Sequence, residues 1–142
     1  MVIYGTFDGF KNYKNGPSQF RWKNVTSEIG SNLPGEFLSN NDKVFKDIKL
    51  KFGERYMILC DSITKNTTLD VHQLIKVNKN PRCGIFRKFK NEFHIINGEH
   101  KGKKIHEMSK QSAIDYSVWL VKNTNNERTI KNCFEILEHL NK

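Results

Sequence analysis

Arg55 to Ile63, reading RYMILCDSI, is the segment that most limits how this chain can fold. Tyr56, Ile58 and Cys60 alternate with Met57 and Leu59, so an extended strand here is apolar on both faces and needs cover on both. Such a strand belongs in the middle of a sheet or barrel. The preceding sequence supplies partners. Ile3 to Phe10 is rich in β-branched and aromatic residues, and Lys11 to Ser18, with Gly16-Pro17, reads as the loop that ends this first strand. Gln19 to Asn24 alternates polar with aromatic residues, which puts Phe20 and Trp22 on one face of a second strand and Arg21 and Lys23 on the other. Glu36-Phe37-Leu38 makes a short third strand after a Gly/Pro-punctuated loop over 27–35.

Asn40 or Asn41 can cap a short helix over Asp42 to Leu50, with Val44, Phe45 and Ile48 on one stripe. After the two-faced strand and a polar turn over Thr64 to Thr68, Leu69, Val71, Gln73, Ile75 and Val77 fall on one face of a fifth strand. Three strands, a helix and two strands is the element order of an OB-like β-barrel.

Gly5-Thr6-Phe7, the hydrophobic second strand and the lead-in Leu50-Lys51-Phe52-Gly53-Glu54 also resemble a family of small β-barrel proteins from phages and mobile elements. There a "GTF" start and an "L-x-x-G-[DE]" approach to the fourth strand recur at this spacing. The resemblance spans about residues 3 to 78 and implies the barrel, without an activity. The histidine and tryptophan that often precede that family's helix are replaced here by Glu36-Phe37-Leu38.

Asn80-Pro81-Arg82-Cys83-Gly84 reads as a joint, dividing the chain into a barrel over 1–79, a linker over 80–84 and a second module over 85–142. Ile85 to Ile96 mixes bases with aromatics and fits one or two short strands. Ser112 to Asp115 has capping-box spacing for a helix over Ile114 to Lys122, and Thr124 to Glu127 for one over Glu127 to Leu140. Ile130, Cys133, Phe134, Leu137 and Leu140 give the last helix a core stripe. The expected fold class is therefore α+β: a five-stranded OB-like barrel with one short helix, then short strands and two helices.

Gly98, His100, Lys101-Gly102-Lys103 and Ile105, followed by Tyr116 and Trp119-Leu120, resemble the small domain at the C-terminus of exodeoxyribonuclease X-like proteins, which reads roughly "YGKHKGK" and later "YLxWLL". Asn97 stands where that domain usually has an aromatic or other apolar residue. The resemblance implies an accessory role in handling or positioning nucleic acid, and no catalytic residue.

Charge points the same way. Twenty-four Lys and Arg against fifteen Asp and Glu give a net charge of +9, a surplus that a polyanion relieves. An Asn- and Lys-rich make-up can also produce such a charge with no partner. Seven bases (Arg82, Arg87, Lys88, Lys90, Lys101, Lys103, Lys104) face two acids (Glu92, Glu99) between 82 and 104, so the surplus is locally concentrated. In that stretch Gly98 and Gly102 would let backbone amides approach a phosphate, with His100 beside them. In the barrel, the groove walled by loops 1–2 and 4–5 would present Lys11, Tyr13 and Lys14, then Arg21 and Lys23, then Lys65. With the opposite strand register, Phe20 and Trp22 would line it instead.

Catalysis finds little footing. The acids form no D-x-E or D-x-D pair, no nucleophile elbow or phosphate loop occurs, and neither Cys60, Cys83 and Cys133 nor the five histidines show ligand spacing. No cofactor and no metal are expected. No apolar run approaches the roughly 20 residues of a membrane span, and the start lacks a secretory signal, so the expectation is a soluble, cytoplasmic protein without a membrane partner. The leading expectation is a non-catalytic nucleic-acid-binding accessory protein of phage or mobile-element origin, with single-stranded DNA favoured over duplex DNA or RNA. The alternative is a protein that binds a host or phage replication, transcription or defence protein; a small nuclease ranks last.

Overall fold

The computed structural model describes residues 1–40, 49–63, 68–77, 84–89, 92–97 and 100–141, with only the backbone described at 62–63, 86–89 and 97. Its contacts group into two compact units, one of residues 1–28 and 32–77, the other of 29–31 and 78–142.

Five strands build the first unit: β1 (Val2–Tyr13), β2 (Gly16–Ser27), β3 (Phe37–Asn40), β4 (Arg55–Ile63) and β5 (Thr68–Lys76). They close into a barrel in the order β1-β2-β3-β5-β4, with β4 returning to β1 and β3 running parallel to β5. This is the OB-like barrel that the element order implies. The two-faced segment is β4, and it lies between β1 and β5. Residues 41–48 of the expected helix lie outside the described residues, and Lys49 and Leu50 are not helical.

Closure depends on bulges, which bend and twist a strand by adding one residue to it. Between the pairs Phe7–Trp22 and Phe10–Phe20, β1 carries one extra residue, and Gly9 there has φ +84°, a conformation that favours glycine. Between Tyr4–Thr26 and Thr6–Lys23 the extra residue is in β2, where Asn24 has φ +51°. Phe20 and Trp22 point inward with Phe7, Tyr56 and Ile58, and the Trp22 indole N–H donates to Ser39 Oγ at 2.9 Å. A buried indole needs that acceptor.

A charged side chain also lies inside. Arg55 is 1% exposed; its Nη1 donates to Thr6 Oγ1 at 3.0 Å and to the Asn24 carbonyl at 2.8 Å, and its Nη2 to Thr26 Oγ1 at 3.2 Å. The bulge at Asn24 supplies one of these acceptors. Arg55 thereby ties β4 to both β1 and β2.

Two expectations for this unit need correction. Lys11 to Ser18 is not a loop: β1 runs on to Tyr13, turns over two residues and returns as β2 from Gly16, so the ladder continues through Lys11–Gln19. Phe10 and Phe20, with ring centroids 5.5 Å apart, extend the apolar seam along it. Nor does β5 keep one alternating face. Cys60 pairs with Val71 but Leu59 with Gln73, and the extra residue, His72, inverts the phase: Leu74 is buried and Ile75 is 39% exposed.

The second unit contains the hairpin β6 (Gly84–Phe89) and β7 (Glu92–Asn97), a 3-10 turn over Ile105–Glu107, and helices α1 (Lys110–Asn123) and α2 (Glu127–Leu140). Ile85, Phe93 and Ile95 pack with Leu120, Ile130 and Cys133 in one core, and Asn132 Nδ2 donates to the Ile85 carbonyl at 2.9 Å. α1 starts a turn before the expected Ile114, because Ser109, not Ser112, is the cap: its Oγ accepts from the Ser112 amide. α2 has the expected bounds, but Asn126, which accepts from the Thr129 amide, replaces Thr124 as cap. Thr124 instead ends α1.

Candidate nucleic-acid interface

The outer face of β1, β2 and β3 gathers the barrel's sequence-predicted residues. Lys11 pairs across from Gln19, and Gln19 across from Asn40, so these residues form a row over three strands. The Tyr13 hydroxyl donates to Gln19 Oε1, and Gln19 Nε2 donates to Asn40 Oδ1 at 3.1 Å. This chain fixes Tyr13 at the hairpin end with 43% of its surface exposed. Phe10 and Phe52 are exposed as well, and Lys23 Nζ lies 5.6 Å from the Phe52 ring centroid.

Most cations on this face already have a carboxylate. Lys11 Nζ lies 3.2 Å from Glu36 Oε1, Arg21 Nε 3.9 Å from the same oxygen, and Lys23 Nζ 3.8 Å from Asp8 Oδ1. Lys14, in the turn, is exposed. Such half-exposed pairs contribute little stability, about 0–1 kcal/mol each, so a phosphate can compete for the lysines. Arg21 and Lys23 do face outward, as the alternation predicts. Lys65 lies outside the described residues.

In the second unit, the His100–Lys104 turn differs from its expected use. The Gly102 amide donates to the Ile95 carbonyl at 2.9 Å and the Lys103 amide to the His100 carbonyl at 3.1 Å, while the Ile95 amide donates to Lys103 O at 3.0 Å. The turn is therefore stitched to β7, and these amides are not available to cradle a phosphate. Gly102, at φ +86°, serves the turn's geometry. Lys104 Nζ is 2.8 Å from Glu92 Oε1; that contact holds the Glu92 carboxyl below its ordinary range and the Lys104 ammonium above its own. Lys101 and Lys103 remain exposed. Arg87 and Lys88 lie on β6, their side chains not described, and Lys90 lies outside the described residues.

Three further groupings are present, of which the first two escaped sequence reasoning. Asp61, Asp70 and His72 place ligand-type atoms within 4.8 Å of one another on the outside of β4 and β5, with His72 Nε2 2.7 Å from Asp61 Oδ1. The acids are thus less dispersed than their sequence positions suggest; the register of the β4–β5 pairing, which no spacing encodes, brings them together. All three are exposed, so water competes with any ion there. Second, a cavity of about 540 Å³ in the second unit is lined by Phe93, Ile105, Ala113 and Ile136, but Glu135 and Glu138 also line it and make it a poor match for a polyanion. Third, the His100 and Tyr116 rings meet edge to face at 5.4 Å, and Tyr116 lies 6.1 Å from Trp119. Among the thiols, burial pushes Cys60 up, the carboxylates of Asp61 and Asp70 adding to it against the N-terminal ammonium, so it is protonated at neutral pH.

No family model matches this chain, and neither a curated protein nor a solved structure matches it. The two resemblances rest on the residues quoted for them. Among the described residues no helix is long and apolar enough to cross a membrane.

Proposed function

We propose that this protein is a non-catalytic accessory factor that binds single-stranded nucleic acid along the outer face of β1–β3. The observation that carries this reading is the juxtaposition, on the β1–β2 hairpin, of an exposed and oriented Tyr13 with Lys11 and Lys14. An exposed ring accepts any base as a stacking partner, and flanking cations take the phosphates; together they are the elements of sequence-tolerant single-strand binding. Arg21 and Lys23 extend the positive track along β2, and Gln19 and Asn40 offer amide groups to base edges. In OB-like barrels this is the face on which oligonucleotides bind.

A salt titration of the full chain against a single-stranded DNA oligonucleotide, its duplex and the matching RNA tests the reading. The expected result is tightest binding to a single strand, with log K falling against log salt at a slope of about −2 to −3, as for three or four neutralised phosphates. Preference for the duplex, or no binding to any of the three at low salt, would overturn it.

A further inference from the structure

We propose that α1 and the turn before it form a second base-stacking platform, with Trp119 as its contact surface. It takes its ligand class, single-stranded nucleic acid, from the reading above, and its residues lie wholly in the second unit. Trp119 is 44% exposed, an unusual position for the largest apolar side chain when Leu120 and Val121 beside it are fully buried. Its ring is not isolated. Tyr116, one turn earlier on α1, lies 6.1 Å away with the two planes inclined by only 31°, and the His100 ring meets Tyr116 edge to face at 5.4 Å and 86°. Tyr116 contacts both of the other rings, so Trp119 offers its exposed surface at small cost in side-chain entropy.

His100 also fixes what lies beside the platform. The turn it opens is held to β7 by backbone bonds, and this turn carries the exposed Lys101 and Lys103. Rings that stack a base, next to cations on a rigid turn, suit a nucleotide strand better than an uncharged sugar, which would gain nothing from the lysines. Asp115 is the opposing charge on α1; its Oδ1 accepts from Gln111 Nε2 at 2.8 Å.

The two tryptophans make the test direct, since Trp22 is 1% exposed inside the barrel and Trp119 is open to solvent. Titrating the full chain with oligothymidylate should quench the long-wavelength, exposed component of tryptophan emission, and Trp119→Phe should abolish that quench. Trp119→Ala should raise Kd by about 5- to 150-fold, the range for loss of one stacked base. Lys101→Ala with Lys103→Ala should make the salt slope shallower by about one to two. No quench of the wild-type emission, together with an unchanged Kd in Trp119→Ala while Tyr13→Ala still weakens binding, would overturn the platform and leave the barrel reading standing. The opposite pattern would uphold the platform and remove the barrel face. A quench by neutral oligosaccharide that is insensitive to salt would assign the rings to a carbohydrate and overturn the proposal.

Discussion

The barrel and the helical unit handle positive charge in different ways. In the barrel most of it is anchored: Arg55 is sealed inside among hydroxyls and a carbonyl, and Lys11, Arg21 and Lys23 each face a carboxylate, while Lys14 stands exposed in the hairpin turn. In the second unit Lys104 is held by Glu92, whereas Lys101 and Lys103 stand exposed on a turn whose backbone is already engaged. Counting lysines therefore overstates what a polyanion meets. The useful distinction is between cations that hold the fold and cations that a phosphate can recruit.

The largest expected effect breaks that comparison on the structural side. Arg55→Met should cost about 3–5 kcal/mol in denaturant unfolding, because it leaves the hydroxyls of Thr6 and Thr26 and the Asn24 carbonyl buried without their donor. Adding Thr6→Val and Thr26→Val should recover a good part of the loss, since removing both sides of a buried polar contact is far milder than removing one. Lys101→Met, by contrast, should stay within about 0.5 kcal/mol of the wild type.

Next in size is a gain of function. Glu36 competes with phosphate for Lys11 and Arg21, so Glu36→Gln should tighten single-strand binding several-fold and steepen its salt dependence, measured by fluorescence anisotropy. A loss of affinity would mean that Glu36 positions those cations rather than withholding them.

The smallest effect concerns pH. Glu92 is depressed in the fold, so its share of stability is present above the ordinary carboxylate value and fades as pH falls through the lowered one. Lys104 is raised, so its share is present below the ordinary lysine value and fades as pH rises through the higher one. The pair should therefore contribute across the neutral range and drop out at both extremes. Glu92→Gln should flatten that part of the pH–Tm curve, slightly, given solvent screening.

How much of this could be read from sequence follows from what sets each feature. Alternation located β4 and the inward face of β2, because a two-residue period is written in the residues themselves. Bulges are not written that way. Gly9, Asn24 and His72 shift register only when paired with a neighbouring strand, and these shifts turned Leu74 inward and supplied a carbonyl for Arg55. The hairpin end reads as a loop in sequence because Lys11 to Ser18 is mostly polar, although Tyr13 and Gln19 bond across it. The lysine-rich turn was legible as basic, but the use of its amides by β7 was not, since that depends on a docking that local spacing does not reveal.

The most direct test of the central claim is the affinity of Tyr13→Ala for oligothymidylate, measured beside Tyr13→Phe at one fixed salt concentration. Binding on the hairpin face predicts a rise in Kd of about 5- to 150-fold for the alanine and a change of only a few-fold for the phenylalanine, which keeps the ring and loses the bond to Gln19. Equal and unaltered affinities in the two variants would contradict it.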